Sequence, residues 1–214
     1  TAHGSVSPVA VYQKLVKLSP NPFSALYKKN NNYCICASPE RYLQKKGLQL
    51  ISQPIKGTSK RYPQNEMKDR DAFNYLNESQ KEKSENVMIV DLVRNDLSRI
   101  CRAGSVKVKE LFGIYAFPQV YQMISTIQGD MNPSFQFTDA LRASFPMGSM
   151  TGAPKKRVME LIDEVEWNSR GLFSGSIGYI TPGADFDFNV IIRSIFYNET
   201  QKLLSYAAGG GITF

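Results

Sequence analysis

A combination of amphipathic helices and antiparallel strands is what this sequence predicts, and three observations carry the prediction. Apolar residues recur at helical three-to-four spacing around Val11, Leu15 and Leu18, again at Phe137, Leu141 and Phe145, and again at Val158, Leu161, Ile162 and Val165. Between residues 175 and 208 short alternating runs are separated by turn residues, which is the pattern of an antiparallel meander. With 214 residues, 42% of them hydrophobic, the chain can bury a substantial core as one large domain or two small ones.

In chain order, Pro8 opens a short amphipathic helix that Pro20 and Pro22 terminate, because no helix interior accepts them. Phe23 to Tyr27 and Tyr33 to Ala37 read as two strands across the polar turn Lys28 to Asn32, and Ser38-Pro39-Glu40-Arg41 closes the far end of that hairpin. Leu48 to Ile51 reads as a further strand. It leads into Gln53-Pro54-Ile55-Lys56-Gly57-Thr58-Ser59, where proline stiffens one side of Lys56 and glycine frees the other. Residues 65–86 are polar with sparse apolar positions and read as a single, mostly exposed helix. The compact apolar run Val87-Met88-Ile89-Val90 is expected to be a buried strand, and the charged cluster Asp91 to Asp96 after it to make structural hydrogen bonds. Ser105 to Val108 and Val120 to Ile127 are expected as strands, with a helix in 135–145. Small residues from Phe145 onward lead to another helix with Pro154 near its first turn, a start that either favours an anion beside Lys155 or is simply well formed. Gly175 to Thr181, Asp187 to Tyr197 and Leu203 to Ala208 complete the strands, with Arg193 on the polar side of the second and Gly209-Gly210-Gly211 ending the last.

Composition narrows the functions. The net charge of +7 is concentrated early: residues 1–85 hold 14 Lys or Arg against 7 Asp or Glu, and residues 86–214 hold 12 of each. A basic first part suits an anionic partner, either a small polycarboxylate or a nucleic acid. The aromatic residues Phe186, Phe188 and Phe196 fall on apolar alternations that read as core, and no ribonucleoprotein or helix-turn-helix pattern is present, so a nucleic-acid partner is not expected. Three cysteines, Cys34, Cys36 and Cys101, lack the paired knuckle of a zinc site and are expected as reduced, buried thiols of a cytoplasmic protein. No run of about 18 apolar residues and no charged-then-apolar leader is seen, so neither a membrane span nor a signal peptide is expected. The single histidine, His3, excludes most histidine-based schemes.

Several residues have two readings on sequence alone. Lys56 stands at a strand-to-turn junction, where the Gly57 and Thr58 amides and the Thr58 hydroxyl can face an anion; a pocket lysine acts as a nucleophile, whereas an ordinary turn lysine is solvated, and the second is commoner. Glu40 either exchanges a proton with an amine at a neighbouring strand end or pairs with Arg41. Glu82 and Glu85 share a helix face three residues apart: one carboxylate can ligate a hard cation and the other donate a proton, or both belong to a solvated Lys/Glu face. Arg193 suits bidentate carboxylate binding or an edge ion pair.

Taken together, SPNPF, ASPER, PIKGT, EKSENVMIVDLVRNDL, GSVKVKELF, FPMGSMTGAPKKRVMELID, GSIGYI, FNVIIRS and AAGGGI resemble, in order and along nearly the whole chain, the chorismate-utilising enzymes. That family includes the large component of anthranilate synthase, aminodeoxychorismate synthase, and the isochorismate and salicylate synthases. The resemblance implies an anthranilate-synthase-like α+β fold of antiparallel sheets packed in layers, helices outside, with residues 1–214 as one catalytic domain. Pro-Ile-Lys-Gly-Thr resembles the aminodeoxychorismate synthase form; anthranilate synthases usually have alanine where Lys56 stands.

The implied chemistry is attack of Lys56 on C2 of chorismate as the C4 hydroxyl leaves, then addition of ammonia at C4 with expulsion of the lysine, giving 4-amino-4-deoxychorismate for p-aminobenzoate and folate synthesis. By the same resemblance Glu85 binds Mg²⁺, Glu82 is the general acid, and Glu40 is a proton-transfer partner of Lys56. Gly57, Thr58, Gln122, Phe173, Arg193 and Gly211 match positions around the substrate, and a glutamine amidotransferase subunit supplies ammonia.

The sequence departs from the family pattern at Gln122, where a histidine is usual and where glutamine donates a hydrogen bond but carries no proton at neutral pH. Met147 replaces a usual glycine or alanine, and the family's N-terminal region and its downstream acidic motif with a second magnesium-binding glutamate are not in the 214 residues. The alternatives are an anthranilate or isochorismate/salicylate synthase on the same fold, and a non-catalytic basic protein that binds anions or nucleic acid.

Overall fold

The computed structural model describes residues 1–211, whose contacts gather into two units. The first comprises Thr1–Glu40, Ser169–Ile177 and the chain from Asn189 onward; the second comprises Arg41–Asn168 and Gly178–Phe188.

The first unit begins with the two-residue β1 (Ala2–His3) and α1 (Pro8–Leu18). Ser7 caps this helix, its hydroxyl accepting the Ala10 N–H, and Pro8 occupies the first turn, where its missing N–H costs nothing. Next comes the expected hairpin, β2 (Phe23–Lys29) and β3 (Asn32–Ser38), paired from Phe23 with Ser38 to Lys29 with Asn32. Asn30, at φ 54, takes the left-handed position of its tight turn. Cys34, Ile35, Cys36 and Ala37 on β3 are all fully buried. The thiols are free, as expected, and burial pushes Cys34 up to about 12, so it stays protonated at neutral pH.

The second unit starts with β4 (Arg41–Lys46), which sequence patterning does not reveal, then β5 (Gln49–Gln53) and β6 (Ile55–Lys60). Two helices follow, α2 (Glu66–Glu78) and α3 (Gln80–Ser98). The single helix expected over 65–86 is thus broken at Ser79, which caps both: its N–H donates to Tyr75 O and its hydroxyl accepts the Glu82 N–H. Residues 87–90 are not a strand. They continue α3, whose buried positions Asn86, Ile89, Val90, Val93, Asp96 and Leu97 follow helical spacing while Val87 and Met88 are exposed. A four-residue apolar run fits either structure, and here the surrounding period of 3.6 prevails.

The long antiparallel pair β7 (Lys107–Ala116) and β8 (Val120–Asp130) lies against these helices, and α4 (Phe137–Ser144), α5 (Lys155–Val165), β9 (Gly178–Ile180) and β10 (Phe186–Asn189) complete the unit. Its sheet runs β6-β8-β5-β4-β10-β9, with β7 also on β8. Arg41 ties β4 to β10 through both oxygens of Asp187 at 3.0 Å, and Gln44 adds a bond of 2.7 Å to the same carboxylate. Lys155 does not stand free beside an anion: its ammonium bonds Asp96 at 2.5 Å and the Ser144 carbonyl at 2.9 Å. Asp96 therefore serves the structural role expected for its cluster.

The chain re-enters the first unit for β11 (Ser194–Asn198) and β12 (Leu203–Ser205), which extend β2 and β3 into a sheet ordered β1-β12-β11-β3-β2. The expected continuous strand over 187–197 is consequently two strands in two sheets. Arg193 sits in the break between them at φ 51 rather than on a strand face. The strand expected over 175–181 shrinks to Gly178–Ile180. Both sheets are antiparallel, with five helices of four or more residues among the described residues, so the α+β class stands.

Candidate active site

The junction that sequence singles out is a bulge. Ile55 pairs with Ile124 and Thr58 with Gln122, so Lys56 and Gly57 together face the single residue Met123 of β8. A bulge inserts an extra residue and turns the strand locally, and Gly57 absorbs the turn at φ 97, which a side chain rarely adopts. It also permits close approach: a Cβ on Gly57 would lie 3.0 Å from Leu76 Cδ1 and 3.2 Å from both Glu82 Cβ and Met123 Cβ. The bulge holding Lys56 is therefore pressed against the first turn of α3. Lys56 is half-buried, Thr58 is exposed beside an open groove of about 470 Å³, and Ser59 anchors the strand by donating to the Ala72 carbonyl at 2.9 Å.

α3 presents both carboxylates from its N-terminal turns. Glu82 lies in the first turn, where free amides and the helix dipole favour a negative charge. Glu85 follows three residues later; both are half-buried, and Glu85 Oε1 lies 4.0 Å from the largely exposed Lys81 ammonium. Gln122, on the strand next to β6, is only 2% exposed, and its Oε1 has no partner among the described residues. A buried acceptor left unpaired costs free energy unless a ligand donor meets it. The second unit thus assembles Lys56, Gly57, Thr58, Gln122, Glu82 and Glu85 from three adjoining elements.

Four expected residues lie in the first unit. Glu40 is buried at 4% exposure and stands between β3 and β4, one residue before Arg41, whose partner on β5 is Gln53; neither β3 nor β4 pairs with β6, which carries Lys56. The Glu40 N–H donates to Ser38 Oγ at 3.2 Å and its carbonyl accepts the Val190 N–H at 3.1 Å, which fixes the backbone there. Burial holds the Arg193 guanidinium below its ordinary value while the Glu40 charge raises it, so the two residues sense one another within this unit. Phe173 is half-buried, and its ring lies 3.8 Å from where a Cβ on Gly209 would be, which places it beside the chain leading to the exposed Gly211.

No group of three or more His, Cys, Asp or Glu side chains converges among the described residues. Mg²⁺ is commonly held by one or two carboxylates with water and substrate oxygens completing the octahedron, so the hard oxygen donors of Glu85, with Glu82 one turn away, fit that ion. Among the described residues no helix is long and apolar enough to cross a membrane. Sequence patterning missed Asn86 and Ser125, two buried polar residues joined by a hydrogen bond of 2.5 Å. The signals were present: a polar residue four positions after Glu82, and a serine inside an apolar strand.

A family model described as chorismate binding enzyme matches residues 1–214. The chain is 40% identical over 205 residues to aminodeoxychorismate synthase component 1 of Bacillus subtilis, covering 96% of this chain and 43% of that protein. It is 42% identical over 201 residues to the protein of the same name from Salmonella typhimurium, covering 94% of this chain and 44% of that one. Among solved structures, anthranilate synthase component I from Streptococcus pneumoniae superposes with a TM-score of 0.82 at 31% identity, covering 91% of this chain and 42% of the other. The chain thus spans somewhat under half the length of these relatives. With the family match running through both units, this chain belongs to the chorismate binding enzymes.

Proposed function

We propose that this chain is the catalytic part of an aminodeoxychorismate synthase component 1, converting chorismate and ammonia into 4-amino-4-deoxychorismate. The observation that carries the reading is Lys56, held in a β-bulge whose glycine packs against Glu82. A lysine amine and a carboxylic acid carried by adjoining elements supply the nucleophile and the proton needed to exchange a hydroxyl for an amine through a covalent intermediate.

In the proposed sequence the neutral Lys56 Nζ bonds to C2 of the ring. Both ring double bonds shift by one position, the C4–oxygen bond breaks, and Glu82 gives its proton to the departing oxygen, so that water leaves. Ammonia then bonds to C4, both double bonds shift back, and the C2–nitrogen bond breaks to return the lysine. Splitting one hard displacement into two easier ones is the gain from a nucleophile of this kind. Mg²⁺ held at Glu85 would supply positive charge to the substrate's ring carboxylate. Gln122, with an unpaired buried acceptor, is suited to receive a hydrogen bond from a substrate hydroxyl or amine, and the Gly57 and Thr58 amides to face a carboxylate. For Glu40 we propose proton transfer, and for Phe173, Arg193 and Gly211 a part in holding the substrate, the roles that their motifs imply. A glutamine amidotransferase subunit is the proposed ammonia source, in line with the word component in the relatives' names.

Product analysis tests the proposal. Full-length protein given chorismate, Mg²⁺ and ammonium is expected to form 4-amino-4-deoxychorismate, identified by chromatography and mass. Formation of 2-aminobenzoate or isochorismate instead would assign it to a sister reaction. With glutamine as nitrogen source, turnover is expected only after an amidotransferase subunit is added.

A further inference from the structure

α3 carries Glu82 and Glu85 into the candidate site by its first two turns, and those turns are gripped by residues of β7 and β8. Asn86, 1% exposed, follows Glu85 directly. Its Oδ1 accepts the Ser125 hydroxyl at 2.5 Å, and Ser125, fully buried on β8, accepts in turn the Phe112 backbone N–H at 3.1 Å. Phe112 lies where the pairing of β7 with β8 shifts between Glu110 and Gly113, and it adopts φ 61, a costly conformation that persists only where its surroundings fix it. The Lys83 ammonium lies 5.8 Å above the Phe112 ring. The kink of β7 thus holds α3 at residue 83, which directly follows Glu82, and at residue 86, which directly follows Glu85.

We infer that the Phe112–Ser125–Asn86 chain of hydrogen bonds fixes the rotation of α3 about its axis and so the aim of the Glu82 and Glu85 carboxylates. The magnitude follows from helix geometry. Side-chain ends lie roughly 5–6 Å from the axis, so a rotation of about 20° moves a carboxylate by about 2 Å. A misplacement of about 1 Å can lower a rate on the order of 10²-fold. Asn86 and Ser125 are positioning residues, acting through α3 rather than on substrate, and the inference rests on the proposed function only for what the two carboxylates do.

The test uses full-length protein with Ser125→Ala, Asn86→Ala, the double variant and Ser125→Thr, each assayed below its own unfolding temperature. Each alanine variant is expected to lose about 10²-fold in kcat and to bind Mn²⁺, followed by electron paramagnetic resonance without substrate, about tenfold more weakly. Because the two residues act as one device, the double variant is expected to be no worse than the poorer single one, and Ser125→Thr to recover most of the loss. Amide exchange across residues 80–86 is expected to quicken in the alanine variants. Losses that multiply in the double variant, or unchanged turnover and Mn²⁺ binding, would overturn the inference. If the wild type neither consumes chorismate nor binds Mn²⁺, the proposed function fails; exchange then decides the relay alone, quickened equally in single and double variants if it holds α3, unchanged if it does not.

Discussion

Replacing Gly57 by alanine perturbs the bulge and the helix behind it with a single methyl group. The new Cβ would lie 3.0 Å from Leu76 Cδ1 and 3.2 Å from the Cβ atoms of Glu82 and Met123, closer than carbon atoms pack, and none of the last two can swing away without moving its backbone. Overpacking of this kind costs about 1–3 kcal/mol. The φ of 97 adds roughly 1–2 kcal/mol for a residue with a side chain. Together these make about 2–5 kcal/mol, a large share of the roughly 5–15 kcal/mol that holds a domain folded. Denaturant unfolding of wild type and Gly57→Ala at matched slopes measures the loss, and kcat on chorismate measures the displacement of Glu82. We expect a folded but clearly weaker protein whose kcat falls more than tenfold. An unchanged unfolding midpoint with unchanged kcat would refute both the close contact and its role in placing Glu82.

Two further perturbations probe the frame of the second unit. Arg61, the Tyr121 hydroxyl and the Tyr62 N–H hold the Asp69 carboxyl down at about 2, whereas an unfolded aspartate titrates near about 3.9. The stability this confers is therefore full above about pH 4 and lost as pH falls toward about 2, so the melting temperature of Asp69→Asn should lie below wild type at pH 6 and converge with it in strong acid. Lys155→Met strands the buried Asp96 carboxylate and should destabilise by about 3–5 kcal/mol in denaturant unfolding, while Lys155→Met with Asp96→Leu should recover much of that loss.

The parts of the fold legible in sequence are those decided locally. Pro8, Pro20 and Pro22 delimit α1, and alternation marks the β2–β3 hairpin, because each signal acts within a few residues. Lys56, Gly57, Glu82 and Glu85 were legible as site candidates from residue type and spacing, and the motif resemblance supplied their roles. What sequence concealed depends on contacts between distant segments. β4 has charged ends that look solvated until Asp187 neutralises Arg41, and Arg193 looks like a strand residue until the chain is seen to leave one sheet for the other. The helical turn over Val87 to Val90 was hidden because four apolar residues suit either period, and the Asn86–Ser125 bond joins residues that nothing in their own neighbourhoods connects.

Lys56 as nucleophile is the central claim, and comparing full-length wild type with Lys56→Ala on chorismate, Mg²⁺ and ammonium tests it most directly, with products identified by mass. The variant is expected to lose 4-amino-4-deoxychorismate or to turn to anthranilate, while unfolding at the wild-type temperature. The same product formed at the same rate would make Lys56 an ordinary turn lysine and contradict the mechanism.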